Sequence, residues 1–114
     1  MQGFYQVDSL KPSELVIAPY QGSLACLRIP FNRGVCGAAV REQKTQLVDN
    51  VHSFPGHIAC ASSTESEIVI PLIDHKTGNV MAVLDLDSDS PAAFNSADQQ
   101  GLEAICTWMA ATFF

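Results

Sequence analysis

Glu67-Ile68-Val69-Ile70-Pro71-Leu72-Ile73 is followed by Asp74-His75-Lys76-Thr77-Gly78-Asn79 and then by Val80-Met81-Ala82-Val83-Leu84-Asp85-Leu86. Two apolar, β-branched runs enclose a turn in which Gly78 and Asn79 can supply positive φ, which predicts an antiparallel hairpin. Pro71 has no N–H to give to a strand ladder, so a bulge or an unpaired edge is expected beside it. Side chains at i and i+2 share a face of a strand. Leu84 and Leu86 therefore point one way, as do Ile68, Ile70 and Leu72 in the partner strand. Asp85 and Asp87 point the other way, with Glu67 and Val69. A solvated sheet surface produces the same alternation. The functional alternative is a pocket that binds an ammonium group and keeps one carboxyl protonated, because like charges held close together raise a pKa.

Outward from this hairpin, Phe4 to Val7 and Glu14 to Tyr20 read as two strands joined by the loop Asp8 to Ser13. Ala25 to Ile29 reads as a third strand stopped by Pro30, Gly34 to Gln43 as a short helix and Thr45 to Val48 as a brief strand. Asn50 to Thr64 shows no periodicity, and irregular loops of that length in compact domains are usually functional. Downstream, Ser96 and Gln99 have capping-box spacing, and Leu102, Ile105, Cys106, Met109 and Phe113 recur on one helical face. The order of elements predicts an α+β domain: a central antiparallel sheet with helices on one face and a ligand pocket on the other.

Composition narrows the function. The 114 residues fit one domain, 47% are apolar and 16% charged, which excludes disorder, and the apolar runs are too short to cross a bilayer. A net charge of -6 without a Lys/Arg cluster argues against nucleic acid and anionic membrane as partners. The chain reaches strand-like residues at once after Met1, with no signal peptide, so a reducing cytosol is expected. There its four cysteines are thiols, available for redox or catalytic work.

Cys60 lies in the irregular loop just after Pro55-Gly56-His57, with His52 also near, and reads either as an ionised nucleophile or as an inert small hydrophobe. Cys26 precedes Arg28 by two residues. Cys36 opens a helix, where N-terminal amides favour a thiolate. Either could resolve a sulfenic acid. Cys106 falls on the apolar stripe and reads as core. The spacings of ten and twenty-four positions between Cys26, Cys36 and Cys60, without C-x-x-C, do not fit a structural zinc site, and no metal is expected. Nucleotide fingerprints and a G-x-S-x-G elbow are absent from the sequence.

Several blocks occur in order: G-F-Y at Gly3 to Tyr5, P-Y-Q-G-x-x-A-C at Pro19 to Cys26, R-I-P-F-x-x-G-V-C-G at Arg28 to Gly37, V-H-S-F-P-G-H-I-A-C at Val51 to Cys60, S-E-I-V-I-P-L at Ser66 to Leu72 and V-L-D-L-D-S at Val83 to Ser88. Together they resemble the free methionine-R-sulfoxide reductase family of GAF domains. The resemblance implies that Cys60 attacks the sulfoxide sulfur and becomes a sulfenic acid, that Cys26 condenses with it to a disulfide, and that thioredoxin reduces the disulfide. Cys36 matches a third family cysteine, an alternative resolver or nucleophile. Glu67, Asp85 and Asp87 match acidic pocket residues that hold the substrate ammonium and help protonate the sulfoxide oxygen, and Tyr5 matches a pocket-wall aromatic. No bound cofactor is implied, only thioredoxin as reductant.

Departures from the family pattern are Ala61 and Asn50, where Asp is common, an insert at Leu10 to Ser13, and the front, where Met1-Gln2 stands in place of N-terminal helices and an Asn-Trp-Ala stretch. The expectation is a single GAF domain over residues 1–114, truncated at its N-terminus. One helix is too narrow to cover the apolar sheet face, so a homodimer is expected through it, with Trp108 and Phe114 at or near the contact. The alternatives to a cytosolic reductase are a regulatory GAF module that binds a small molecule without turnover and a redox-sensing dimer.

Overall fold

A computed structural model describes residues 1–23, 26–57, 60 and 63–114. Its elements are β1 (Gln2–Val7), β2 (Glu14–Gln21), β3 (Arg28–Pro30), α1 (Gly34–Glu42), β4 (Gln46–Val48), a 3₁₀ turn (Val51–Ser53), β5 (Ser66–Ile73), β6 (Val80–Ser88) and α2 (Ser96–Phe113). The six strands form one antiparallel sheet in the order β3-β2-β1-β6-β5-β4, which makes the chain an α+β GAF fold. The expected hairpin is the β5–β6 pair, in register from Ser66 opposite Ser88 to Leu72 opposite Ala82. β1 lies along the other edge of β6, with Tyr5 opposite Val83 and Gly3 opposite Asp85. β4 pairs with β5 only from Glu67 to Val69, so Pro71 stands beyond its end, where the missing N–H costs no ladder bond.

The pocket lies on the face opposite α2, as expected, and α1 differs from the expectation only in packing beside the pocket, so that both faces are covered. Cys106 and Ala110 of α2 are buried against Ile68, Ile70, Leu72 and Ala82. On the opposite face, Val35, Cys36 and Ala39 of α1 pack with Tyr5, Val69 and Val83. The reason lies in the acidic face itself, since Val69 and Val83 interrupt its polarity and need cover. α1 supplies that cover. Strand β5 is accordingly buried in an unbroken run from Ser66 to Ile70.

Smaller expectations shift by a residue or two. The α2 cap is Asn95, whose side chain accepts from the Asp98 N–H while Asp98 accepts from the Asn95 N–H, so the reciprocal box lies one residue before Ser96 and Gln99. On the α2 stripe, Leu102 and Met109 are half-buried beside Cys106, whereas Ile105 and Phe113 are 52% and 66% exposed. The α2 contact is therefore narrower than the sequence stripe. Pro30 ends β3 from within, as an edge strand allows, and Ala25 lies outside the described residues. No helix among the described residues is long and apolar enough to cross a membrane.

α1 is held close to the sheet by backbone contacts. The Gly34 N–H donates to the Gly56 carbonyl (2.9 Å), and Gly37 packs so tightly that a Cβ there would stand 2.7 Å from the Phe31 oxygen. We expect Gly37→Ala to cost about 1–3 kcal/mol of stability through this overlap. Gly101, mid-helix in α2 with open space around its Cα, is the opposite case, and Gly101→Ala should add about 0.5–1 kcal/mol. Urea unfolding of the two variants checks both signs.

Candidate active site

The pairing that builds the sheet also assembles a set of acids. Glu67 stands directly opposite Asp87 across the β5–β6 pair, and Asp85 lies two residues along β6 on the same face. Tyr5 reaches that face from β1, Cys36 comes from the first turn of α1, and the loop before β5 contributes His57, Cys60 and Thr64. Together with Asp87 these residues line a cavity of about 30 Å³. The solvated-surface reading of the alternation does not hold, because Glu67 is only 9% and Asp85 only 4% exposed.

Burial is the first cause of every pKa shift in the cavity. It raises Asp85 above the ordinary carboxyl range, against a hydrogen bond from Glu67 that favours the ionised form. Glu67 is held well above that range by burial and then by the charge of Asp85. Two carboxylates this close resist ionising together, and the Asp85 charge and hydrogen bond favour the protonated form of Glu67. Burial and then the Asp85 charge also raise the Tyr5 hydroxyl, which donates to the Cys26 carbonyl oxygen at 2.8 Å. Asp85 Oδ1 is buried and accepts no bond from a fixed donor. The Met1 nitrogen lies 2.8 Å from Asp87 Oδ1.

The cysteines divide two and two. Cys26 and Cys60 form a disulfide, with Cα atoms 5.1 Å apart, and both residues are half-buried. Cys36 and Cys106 are free and buried. Cys106 sits in the core beneath α2, where burial pushes its thiol up to about 11. The thiolate expected for Cys36 at a helix N-terminus is not what its surroundings favour. Burial, then the charges of Asp85 and Glu67, push its pKa well above the ordinary thiol range. A helix terminus contributes only about 0.3–1 kcal/mol against that. Cys36, Glu67 and Asp85 also form the one group among the described residues with metal-ligand composition, their ligand atoms lying within 4.8 Å of one another. We read that trio as a set of shared protons.

His57 lines the cavity beside Cys60, and burial lowers its pKa, keeping the imidazole neutral. His52 is turned to the surface, 3.0 Å from Glu65. Arg28 likewise faces outward, paired with Asp8 at 2.7 Å. Asn50 caps the 3₁₀ turn by accepting from the His52 N–H, a task an Asp would also perform. Leu10 in the inserted loop is 93% exposed, and Ala61 lies outside the described residues. Thr64 was not singled out by sequence reasoning, yet it is buried in the cavity wall. Its one sequence signal is its place at the end of the loop, just ahead of β5.

Comparison with known proteins agrees with this geometry. The GAF domain family matches residues 3–113. GAF domain-containing protein A of Dictyostelium discoideum is 52% identical over 90% of this chain and 63% of its own length. The free methionine-R-sulfoxide reductase of Escherichia coli is 45% identical over 90% of this chain and 59% of its own length. A crystal structure of the free methionine-R-sulfoxide reductase from Neisseria meningitidis in complex with its substrate superposes with a TM-score of 0.92 at 46% identity, covering 98% of this chain and 65% of that one. The chain thus spans about 60% of the length of the curated relatives it matches. Fold and sequence identity converge, and the chain belongs to the free methionine-R-sulfoxide reductase family of GAF domains.

Proposed function

We propose that this chain reduces free methionine-R-sulfoxide to methionine through Cys60. The observation that carries the reading is that Cys60, disulfide-bonded to Cys26, lines the same cavity as the proton-sharing pair Glu67 and Asp85. In the reduced protein the Cys60 sulfur attacks the sulfoxide sulfur while Glu67 protonates the oxygen, a poor leaving group otherwise. Methionine leaves, and the oxygen stays on Cys60 as a sulfenic acid. The Cys26 thiol then displaces that oxygen as water and forms the disulfide. A dithiol such as thioredoxin, in a reducing compartment such as the cytosol, restores both thiols by exchange. Asp87 and Asp85 serve as counter-charges for the substrate ammonium, and Tyr5 as a wall. Mutual restraint of these acids by burial supports an ammonium ligand, since a cation relieves it.

A second reading is a GAF module that binds a small ligand without turnover, and the match to the GAF domain family over residues 3–113 is what favours it. Stoichiometry separates the readings. Reduced protein given one equivalent of free methionine-R-sulfoxide should yield one methionine and lose two thiols. Cys60→Ser should yield none, and Cys26→Ser should yield one equivalent but fail to cycle with thioredoxin. Binding without product would favour the second reading, and full activity of the Cys60 variant would move the nucleophile elsewhere.

The acid pair gives a second test. Glu67→Gln and Asp85→Asn should slow methionine formation about 10²- to 10⁴-fold, the usual cost of losing a proton donor. Stability should move the other way. A carboxyl whose folded pKa is raised stabilises the fold most below its unfolded value, and that contribution is lost as pH rises through the folded value. Each variant should therefore melt at or above the wild-type temperature in mildly alkaline buffer. A variant that unfolds yet turns over normally per folded molecule would make the acids structural.

We also propose that a second copy of the chain covers the apolar side chains left outside, Ile105, Trp108 and Phe113 on α2 and Phe114 just beyond it, all at least 42% exposed. Light scattering across a dilution series should show a dimer, which Trp108→Glu dissociates. A monomer at every concentration would contradict it.

A further inference from the structure

Cys36 is left over by the chemistry above, since Cys26 and Cys60 account for both electrons. Yet its Sγ and the carboxylate oxygens of Glu67 and Asp85 lie within 4.8 Å of one another, all three residues buried. The thiol is fixed in place: Gly34 is bonded to the Gly56 carbonyl on one side of it, and Gly37 is packed on the Phe31 carbonyl on the other. The groups facing this point are Tyr5 from β1, Glu67 from β5, Asp85 and Asp87 from β6, and His57 and Cys60 from the loop. Most are spoken for. The Tyr5 hydroxyl donates to Cys26, the Met1 nitrogen to Asp87, and Cys60 is in the disulfide. Asp85 Oδ1 has no fixed donor. Among the described residues, the side chains that hydrogen-bond Asp85 with a proton to give are the Glu67 carboxyl and the Cys36 thiol.

We propose that Cys36 is a positioning residue whose S–H donates toward Asp85, keeping Asp85 the ionised member of the pair and leaving the shared proton on Glu67 for the sulfoxide oxygen. This assignment rests on the reductase reading and gives the third cysteine a role without redox change. A thiol held protonated by burial beside two acids is a poor nucleophile. Its value lies in the proton it keeps.

Serine at this position separates the roles, because a hydroxyl still donates but forms no disulfide. Cys36→Ala should slow single-turnover methionine formation about tenfold or more, the typical effect of a hydrogen bond to a charged group. The alkaline limb of its pH–rate profile should rise by about one unit, since a pair that loses a donor to its ionised member holds its proton more tightly. Cys36→Ser should bring both the rate and the limb back to within a few-fold of wild type, and each variant should still lose two thiols per methionine. A serine variant as slow as the alanine one, an alanine variant with an unshifted limb, or a changed thiol count would overturn the proposal. A measurement that needs no turnover stands beside these. In oxidised protein carrying Cys106→Ala, the infrared S–H stretch of Cys36 should be shifted as a hydrogen-bonded donor's is, and an unshifted band would overturn the assignment. Wild-type protein that makes no methionine would defeat the reductase reading alone, leaving the S–H band to decide the bond.

Discussion

Glu67 and Asp85 are carboxyl groups buried against each other at the end of the β5–β6 pair, each pushed toward its protonated form first by burial, and the cavity is arranged around them. Burying one ionised carboxylate costs several kcal/mol even after relaxation, and burying two side by side costs more. The pair is tolerated because one member stays neutral. Around it, Tyr5 and Cys36 exclude water, and α1 covers Val69 and Val83 directly alongside. A sheet built for stability alone would continue the valines to the strand end, as well-packed apolar residues commonly match or exceed buried ionic groups. Under the proposed function, acids at this position store the proton that sulfoxide reduction consumes.

The redox pair is coupled to that store through the backbone. Cys60 reaches the cavity from the loop before β5, while Cys26 lies just ahead of β3 at the far edge of the sheet. Their disulfide joins the two segments, and the Tyr5 hydroxyl ties the Cys26 carbonyl to β1 in the sheet centre. Both sulfurs belong to half-buried residues. The free cysteines are deeply buried. Burial and position thus sort four chemically identical side chains into a disulfide pair, a buried thiol beside two acids and a core residue.

Much of this was legible in the residues. The i, i+2 alternation of Asp85 and Asp87 against Leu84 and Leu86 gave the polarity of the β6 faces, and the block order gave the family. What periodicity could not convey was three-dimensional cover. Val69 and Val83 stood among acids in the linear pattern, and only the fold shows that α1 closes over them. Cys36 was misjudged for a related reason. Its place in the first turn of a helix is visible locally, whereas the burial that outweighs the helix terminus, and the two carboxyls that add to it, come from strands more than thirty residues away. Thr64 and the Asn95 cap were missed or displaced because loop ends carry little pattern. Residues 24, 25, 58, 59, 61 and 62 lie outside the described structure, so the Ala61 departure stays a sequence observation.

The central claim is that one proton remains on the Glu67–Asp85 pair at neutral pH, and infrared spectroscopy of the folded protein reads it directly. The account predicts a carbonyl stretch from one buried protonated carboxyl, persisting well above the pH at which ordinary carboxyls ionise and absent in Glu67→Gln. A spectrum at neutral pH showing only ionised carboxylates would contradict it.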